Sequence, residues 1–345
     1  MNRLGKALAQ WSRFAEISVP PEQVVGKLAA GAAPTVSFYF MLSMSAVIAT
    51  FGLLANSAAV VIGAMIVAPL MNPIVALSYS LVAGRWEAMF LALAVAATGA
   101  ALTIGIGLLM TESIGWKLAG SEILARMRPT LLDLGVAMAA GAAAAFAYTR
   151  PGVASSLAGV AIAVALVPPL CTVGIVLALG DVASIEGGPG DEDGFNASGP
   201  LLLFLSNFFG ILLASGLVYF WQYYRKHGAA LLRLLLALAS LAIVIPSLGL
   251  NMEKLMLRNQ VHRSLNHFVS VAFDEHAEVR LTSIRVWVRS EAITVRASMV
   301  APVGTISQDA LDSLSESLTD GISRPVVLKV SQIPEIRWNS KTSLE

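Results

Sequence analysis

The chain has 345 residues, of which 56% are hydrophobic and 13% charged, with a formal net charge of +1. Soluble domains average about 25% charged residues, so most of this chain is excluded from an ordinary soluble fold. The near-neutral balance points to no charged partner class, and nucleic acid is not an expected partner.

Charge is unevenly placed. Only eight of the 23 Lys and Arg lie between residues 35 and 250. Continuous apolar sequence on that scale fits an integral membrane protein, whose spanning helices need about 20 mostly apolar residues each. The single cysteine, Cys171, excludes an intramolecular disulfide, and its apolar setting reads as packing.

Residues 1–34 read as a cytoplasmic segment without a secretory signal, since residues 1–18 hold no unbroken apolar core and no small-residue cleavage site. Leu4, Leu8, Trp11 and Phe14 recur at helical spacing, with Arg3, Lys6 and Arg13 elsewhere on the wheel. This pattern reads as a short amphipathic helix, lying on the membrane surface or packed on the bundle.

Residues 35–250 form the predicted transmembrane domain. Seven spans are expected, at about 35–54, 57–83, 88–110, 130–148, 153–180, 200–223 and 231–250. Span four is rich in Ala and Gly, and spans two, three and five carry small residues that allow close helix approach. Spans two, four and five are expected at the centre, with the bulkier spans one, six and seven facing lipid. Residues 181–199 hold five acids, several glycines and no Lys or Arg, and read as an aqueous loop. With the N-terminus inside, most basic residues of the short loops fall inside as well, which sets the orientation. The seventh span then leaves the C-terminal domain outside.

The most informative relationship is internal. Residues 56–74 (NSAAVVIGAMIVAPLMNPI) and 156–174 (SLAGVAIAVALVPPLCTVG) align at an offset of 100, matching Val60/Val160, Ile62/Ile162, Val67/Val167, Pro69/Pro169 and Leu70/Leu170. Three spans per unit force an inverted repeat, and paired proline-interrupted spans point to a transport site. Pro69 and Pro73 flank Asn72, and Pro168 and Pro169 precede Thr172, which aligns with Asn72. Prolines at these places free carbonyls one turn earlier, tolerated at bilayer depth only where protein or a water-filled cavity satisfies them. One reading makes these segments broken helices lining an ion or solute path. The other makes them kinks, with Asn72 bonding a neighbouring helix.

Other polar residues in the spans support structure first. Asn56 and Ser57 are placed to cap span two. Thr130 and Asp133 fit a capping box at the start of span four, although an intramembrane acid is also a functional candidate. Asn207 in span six is expected to bond another helix. No histidine falls in a span, which favours a channel or uncoupled carrier over a proton-coupled one. No catalytic pair, metal spacing or cofactor motif is present, and the chain is not expected to be an enzyme.

Residues 251–345 return to soluble composition and read as a small α+β domain. A helical stripe from Leu257 to Ala272 precedes strands at Ile284–Val288 and Ile293–Met299. A helix from Thr305 through Leu318 and a strand at Val326–Val330 follow. His262, His267 and His276 have no metal-like spacing.

The segment from Asn56 to Ile74, with AVALVPPL at 163–170 and FLSNFFGI at 204–211, resembles the bacterial hydrophobic membrane-protein family catalogued as domain of unknown function 389. The resemblance covers about residues 35–225 and implies an integral membrane protein of that family; the expected location is the cell inner (plasma) membrane. It brings no substrate and no catalytic residue. The expected function is a channel or secondary carrier for a small ion or solute, with the lipid bilayer and further copies of the chain as partners. The alternative is a membrane scaffold or envelope sensor acting through residues 251–345.

Overall fold

The computed structural model describes residues 18–115, 118–150, 166–180, 184–185, 196–225, 227–272, 280–288, 293–301 and 326–334. The amphipathic helix expected at the N-terminus, the first half of the second repeat segment, most of the expected acidic loop and the helix expected from Thr305 lie outside them. The chain divides into two units, Met1–Gly249 and Leu250–Glu345.

The first unit opens with α1 (Pro21–Gly31), for which the sequence pattern predicts no element. Thr35 then caps α2 (Val36–Leu54), its hydroxyl accepting from Phe38 N at 3.1 Å. Ser57 caps α3 (Ala58–Val67) in the same manner. The helix stops at Ala68, whose backbone is extended as expected for a residue preceding proline. It resumes as α4 (Met71–Ala83), bent by 55° from α3. Gly84, in the left-handed region at φ 73°, ends α4. Next come α5 (Trp86–Ile114) and the short α6 (Ser121–Leu124). The Ala-rich α7 spans Leu131–Tyr148, α8 spans Val167–Leu179 and α9 spans Ser198–Tyr219. A π-helical turn, Phe220–Tyr224, extends α9.

Among the described residues five helices are long and apolar enough to cross a membrane: Val36–Leu54, Trp86–Ile114, Leu131–Tyr148, Ser198–Tyr224 and Gly228–Glu253. The bent pair α3 and α4 makes a sixth if it is one span. The expected fifth span is described only in its second half, as the 13-residue α8. The first unit is thus a multi-pass bundle of apolar helices.

The ends of these helices sort into two groups. Two-residue strands β1 (Leu118–Ala119) and β2 (Ser184–Ile185) pair in parallel, joining the connection after α5 to the one after α8. Asn56 is in the same group, accepting from Glu122 N at 2.9 Å and Ser121 Oγ at 3.0 Å. In the other group Val19 N donates to Thr149 O, Tyr223 donates to Val19 O, and Arg233 donates to Val82 O. This second group is the tyrosine end of the bundle.

The expected assignment of central and lipid-facing spans needs correction. Span six, as α9, is the most interior of the five, with 67% of its membrane window buried, while α7 is at 44%. The reason is local. Gly141 of α7 lies against the backbone of Ile211, where a Cβ would come within 2.7 Å of its Cα, and Gly210 lies under Leu134. Small residues let the two backbones meet, and Leu and Phe on the rest of α9 fill the interior. On α8 the same device operates, with Gly174 against the backbone of Ile104 and Gly107 against that of Cys171.

The expected boundary at residue 250 falls inside one helix. α10 runs from Gly228 to Ala272, 45 residues, with Pro246 within it. Its membrane window is 28% buried, the lowest of the five. In the second unit β3 (Arg280–Val288) pairs antiparallel with β4 (Ile293–Ala301), which pairs in parallel with β5 (Val326–Pro334). Val295, Ala297 and Met299 point to a buried face of β4, the alternation read from the sequence.

Candidate functional site: the broken helix and a tyrosine cluster

Pro69 sits at the break between α3 and α4, and its carbonyl accepts from Asn72 N at 3.3 Å. Pro73 is buried in the first turn of α4. Asn72 projects its amide toward α7, where Tyr148 Oη donates to Asn72 Oδ1 at 2.8 Å. Gly31, the last residue of α1, packs on the other side, with a hypothetical Cβ only 3.1 Å from the Asn72 side chain. The break is therefore enclosed by the ends of α1 and α7.

In the second segment Pro168 and Pro169 occupy the first turn of α8, where a missing N–H breaks no bond within the helix. The equivalent proline in the first segment, Pro69, lies before its helix begins. Thr172 is fully buried and donates to Pro168 O at 2.8 Å, so its hydroxyl is spent within its own turn. Its neighbour Cys171 is buried, with Sγ 3.6 Å from Ala46 O of α2. Thus Asn72 bonds to α7, while the turn holding Thr172 adjoins α2 and α5.

The remaining candidates separate. Asp133 accepts from both Thr130 N and Thr130 Oγ1 at 2.8 Å, completing the capping box. Asn207 is buried in α9. Asn56 departs from the expectation. Ser57 is the cap, and Asn56, at φ 53°, turns its oxygen to the backbone and hydroxyl of α6. Asn is among the few non-glycine residues that adopt this conformation readily.

A further group was not singled out from the sequence. Tyr79, Tyr148, Tyr219, Tyr223 and Tyr224 gather at the tyrosine end. The Tyr79 and Tyr219 rings meet edge to face at 5.1 Å, and Tyr79 and Tyr224 share a hydroxyl contact of 3.1 Å. Tyr223 donates to Val19 O at 2.6 Å. Five of the six tyrosines in the chain are in this group. Their placement near the predicted ends of spans two, four and six was the available signal, because tyrosine concentrates at membrane boundaries. The π-helical turn, a feature often found at functional positions, brings Tyr223 and Tyr224 round to this cluster.

Cations rim the same end. Arg233 lies against Gly84, donates to Val82 O at 2.9 Å and is 6.0 Å from the Trp86 ring, so it sits on the carboxyl end of α4. Arg150 lies 4.8 Å over the Phe146 ring. Among the described residues no cluster of His, Cys, Asp or Glu fits a metal ion.

Residues 65–213 match the family model described as "Domain of unknown function (DUF389)". These residues belong to that family. The DUF389 region begins within α3 and ends within α9, so it contains the break, Asn72, Tyr148, α8 and Asn207. The chain is also similar to a Methanocaldococcus jannaschii protein described as "Uncharacterized protein MJ0678", with 29% identity over 179 residues. That alignment covers 52% of this chain and 52% of the relative, so the chain spans about half the length of the relative it matches.

Proposed function

We propose that the protein is a multi-pass membrane channel or uncoupled carrier for a small ion or solute, with an inverted repeat and a path beside its broken helices. The observation that supports this most is the crossed packing of two 13-residue half-helices, α4 and α8. The start of α4 reaches α7 through Asn72 and Tyr148, and the start of α8 reaches α2 through Cys171 and Ala46. The body of α4 packs on α9 through Ser78 and Leu212, and the body of α8 packs on α5 through Gly174 and Ile104. Taking α2 to α5 as one unit and α7 to α9 as the other, each contact has a counterpart with the units exchanged. A pseudo-two-fold axis in the membrane plane generates that pattern.

In this reading Pro69, Asn72 and Pro73 line the path from one unit, and Pro168, Pro169 and Thr172 from the other. The Tyr148–Asn72 hydrogen bond closes it. The tyrosine end faces the cytoplasm of a plasma membrane, as its Lys and Arg favour. Residues 251–345 then lie outside, and the small-residue helix faces offer contacts between copies of the chain.

The test is ion flux through purified protein in liposomes under asymmetric salt, comparing the native chain with Asn72→Leu and Pro169→Ala. Selective flux altered by either substitution supports the path. The scaffold or sensor reading is favoured by one observation, that buried hydroxyls such as Thr172 are already spent on backbone carbonyls. Absence of flux under any salt, voltage or tension would replace the transport reading with it.

A further inference from the structure

Buried polar groups in a membrane interior find partners, because an unmet one is costly. In the bundle the hydroxyls of Ser45, Thr50, Ser78, Thr103, Thr111 and Thr172 each donate to a backbone carbonyl. Tyr219 does not. Its side chain is fully buried, and its Oη has no hydrogen-bond partner. One turn further along, Gln222 Oε1 is also buried without a partner, and a half-turn of that amide presents its Nε2 donor in the same place.

The Tyr79 ring meets that of Tyr219 edge to face at 5.1 Å, and Tyr148 of the same cluster donates to Asn72 at the amino end of α4. Helix amino ends favour anions. Lys27, Arg85, Arg150, Arg225 and Arg233 stand on the elements at this end, against Glu22 and Glu87 among the described residues. Among the described residues none of the five cations forms an ion pair. A mouth with that imbalance raises the local concentration of anions. The buried polar side chains of the described bundle are hydroxyls and amides, with no carboxylate to hold a cation.

We infer that Tyr219 Oη is a hydrogen-bond donor to a small inorganic anion in transit, and that the protein is anion-selective. The inference rests on the transport reading above. The phenol binds without a full charge, so the anion is held by a donor it can also leave, and the cationic rim supplies it.

The test uses the full chain in liposomes with opposing gradients of sodium and chloride, then sodium and nitrate. The native protein is compared with Tyr219→Phe, Gln222→Leu and a control, Tyr39→Phe, whose hydroxyl bonds to Thr98 elsewhere. Reversal potentials that follow the anion, with anion flux lowered roughly threefold to tenfold in Tyr219→Phe as for one lost hydrogen bond, support the inference. A cation-following reversal potential in the native protein overturns it while leaving transport standing. Anion flux unchanged in a folded Tyr219→Phe overturns it too and leaves a trapped water as the phenol's partner. If Tyr219→Phe does not fold, Gln222→Leu and the native reversal potential decide. No flux from the native protein overturns this inference and the transport reading together.

Discussion

Ser78 Oγ donates to Leu212 O at 2.9 Å, joining residues 134 apart in the chain. The bond ties the half-helix α4 to α9 at a carbonyl that already serves its own helix, and it sits beside Gly216, whose hypothetical Cβ would be 3.3 Å from that hydroxyl. Replacing Ser78 with Ala should cost about 0.6 kcal/mol, the usual size of such a bond between membrane helices. Chemical denaturation in detergent micelles measures it. Replacement with Leu should cost clearly more, because it adds bulk where α9 has only glycine.

Gly141 makes a second prediction. Its missing side chain is what lets α7 lie on the Ile211 backbone. Gly141→Ala improves helix propensity by about 1 kcal/mol in isolation, yet here the new methyl meets backbone that cannot rotate away. The expected net effect is destabilisation of about 1–3 kcal/mol, typical of overpacking. A melting temperature raised by the substitution would contradict the close approach.

Asn56 should be separable from its neighbour Ser57. Asn56→Ala loses the acceptor for Glu122 N and places Ala at a positive φ. Hydrogen exchange at the Glu122 amide should accelerate by about tenfold or more, since roughly 1.4 kcal/mol corresponds to a factor of ten. Exchange within α4 should stay as it was. Asn56→Asp, which keeps the acceptor, should retain most of the protection.

Two surface labels test the grouping of helix ends. Cysteines placed at Leu118 and Ser184, which pair through β1 and β2, should react with a membrane-impermeant maleimide from one face of a vesicle. Cysteines at Arg150 and Arg225 should react from the other. The native Cys171 is fully buried and should stay unlabelled until the protein is unfolded. Labelling of all four introduced sites from one face would dismantle the crossing pattern.

Much of this was legible in the sequence because it depends on local rules. The break at Pro69, the capping box of Thr130 and Asp133, and the alternation along β4 each follow from residues within one turn or one strand. The position of α9 was not legible. Its Leu and Phe content reads as a lipid face, and only the contact of Gly141 with Ile211 and of Ser78 with Leu212 reveals that those side chains fill an interior. The role of Asn56 was not legible for a related reason. Adjacent to a helix start it looks like a cap, and its true partners lie 65 and 66 residues away. The tyrosine cluster joins residues from three helices and a π-helical turn, and no periodicity within any one of them encodes it.

The hydroxyl bonds carry a consequence for how the chain is made. Thr50, Thr103, Thr111, Thr172, Ser206 and Ser215 all donate to carbonyls of their own helix, three or four residues back. A segment leaving the ribosome can therefore partition into lipid with these groups already satisfied. Ser45, Ser78 and Tyr148 are different, because their acceptors at Ala64, Leu212 and Asn72 arrive on other segments. Insertion and assembly are thereby divided in time. The threonines let each helix wait in the bilayer alone, and the few cross-helix donors, late to be satisfied, reward the correct neighbours when they meet.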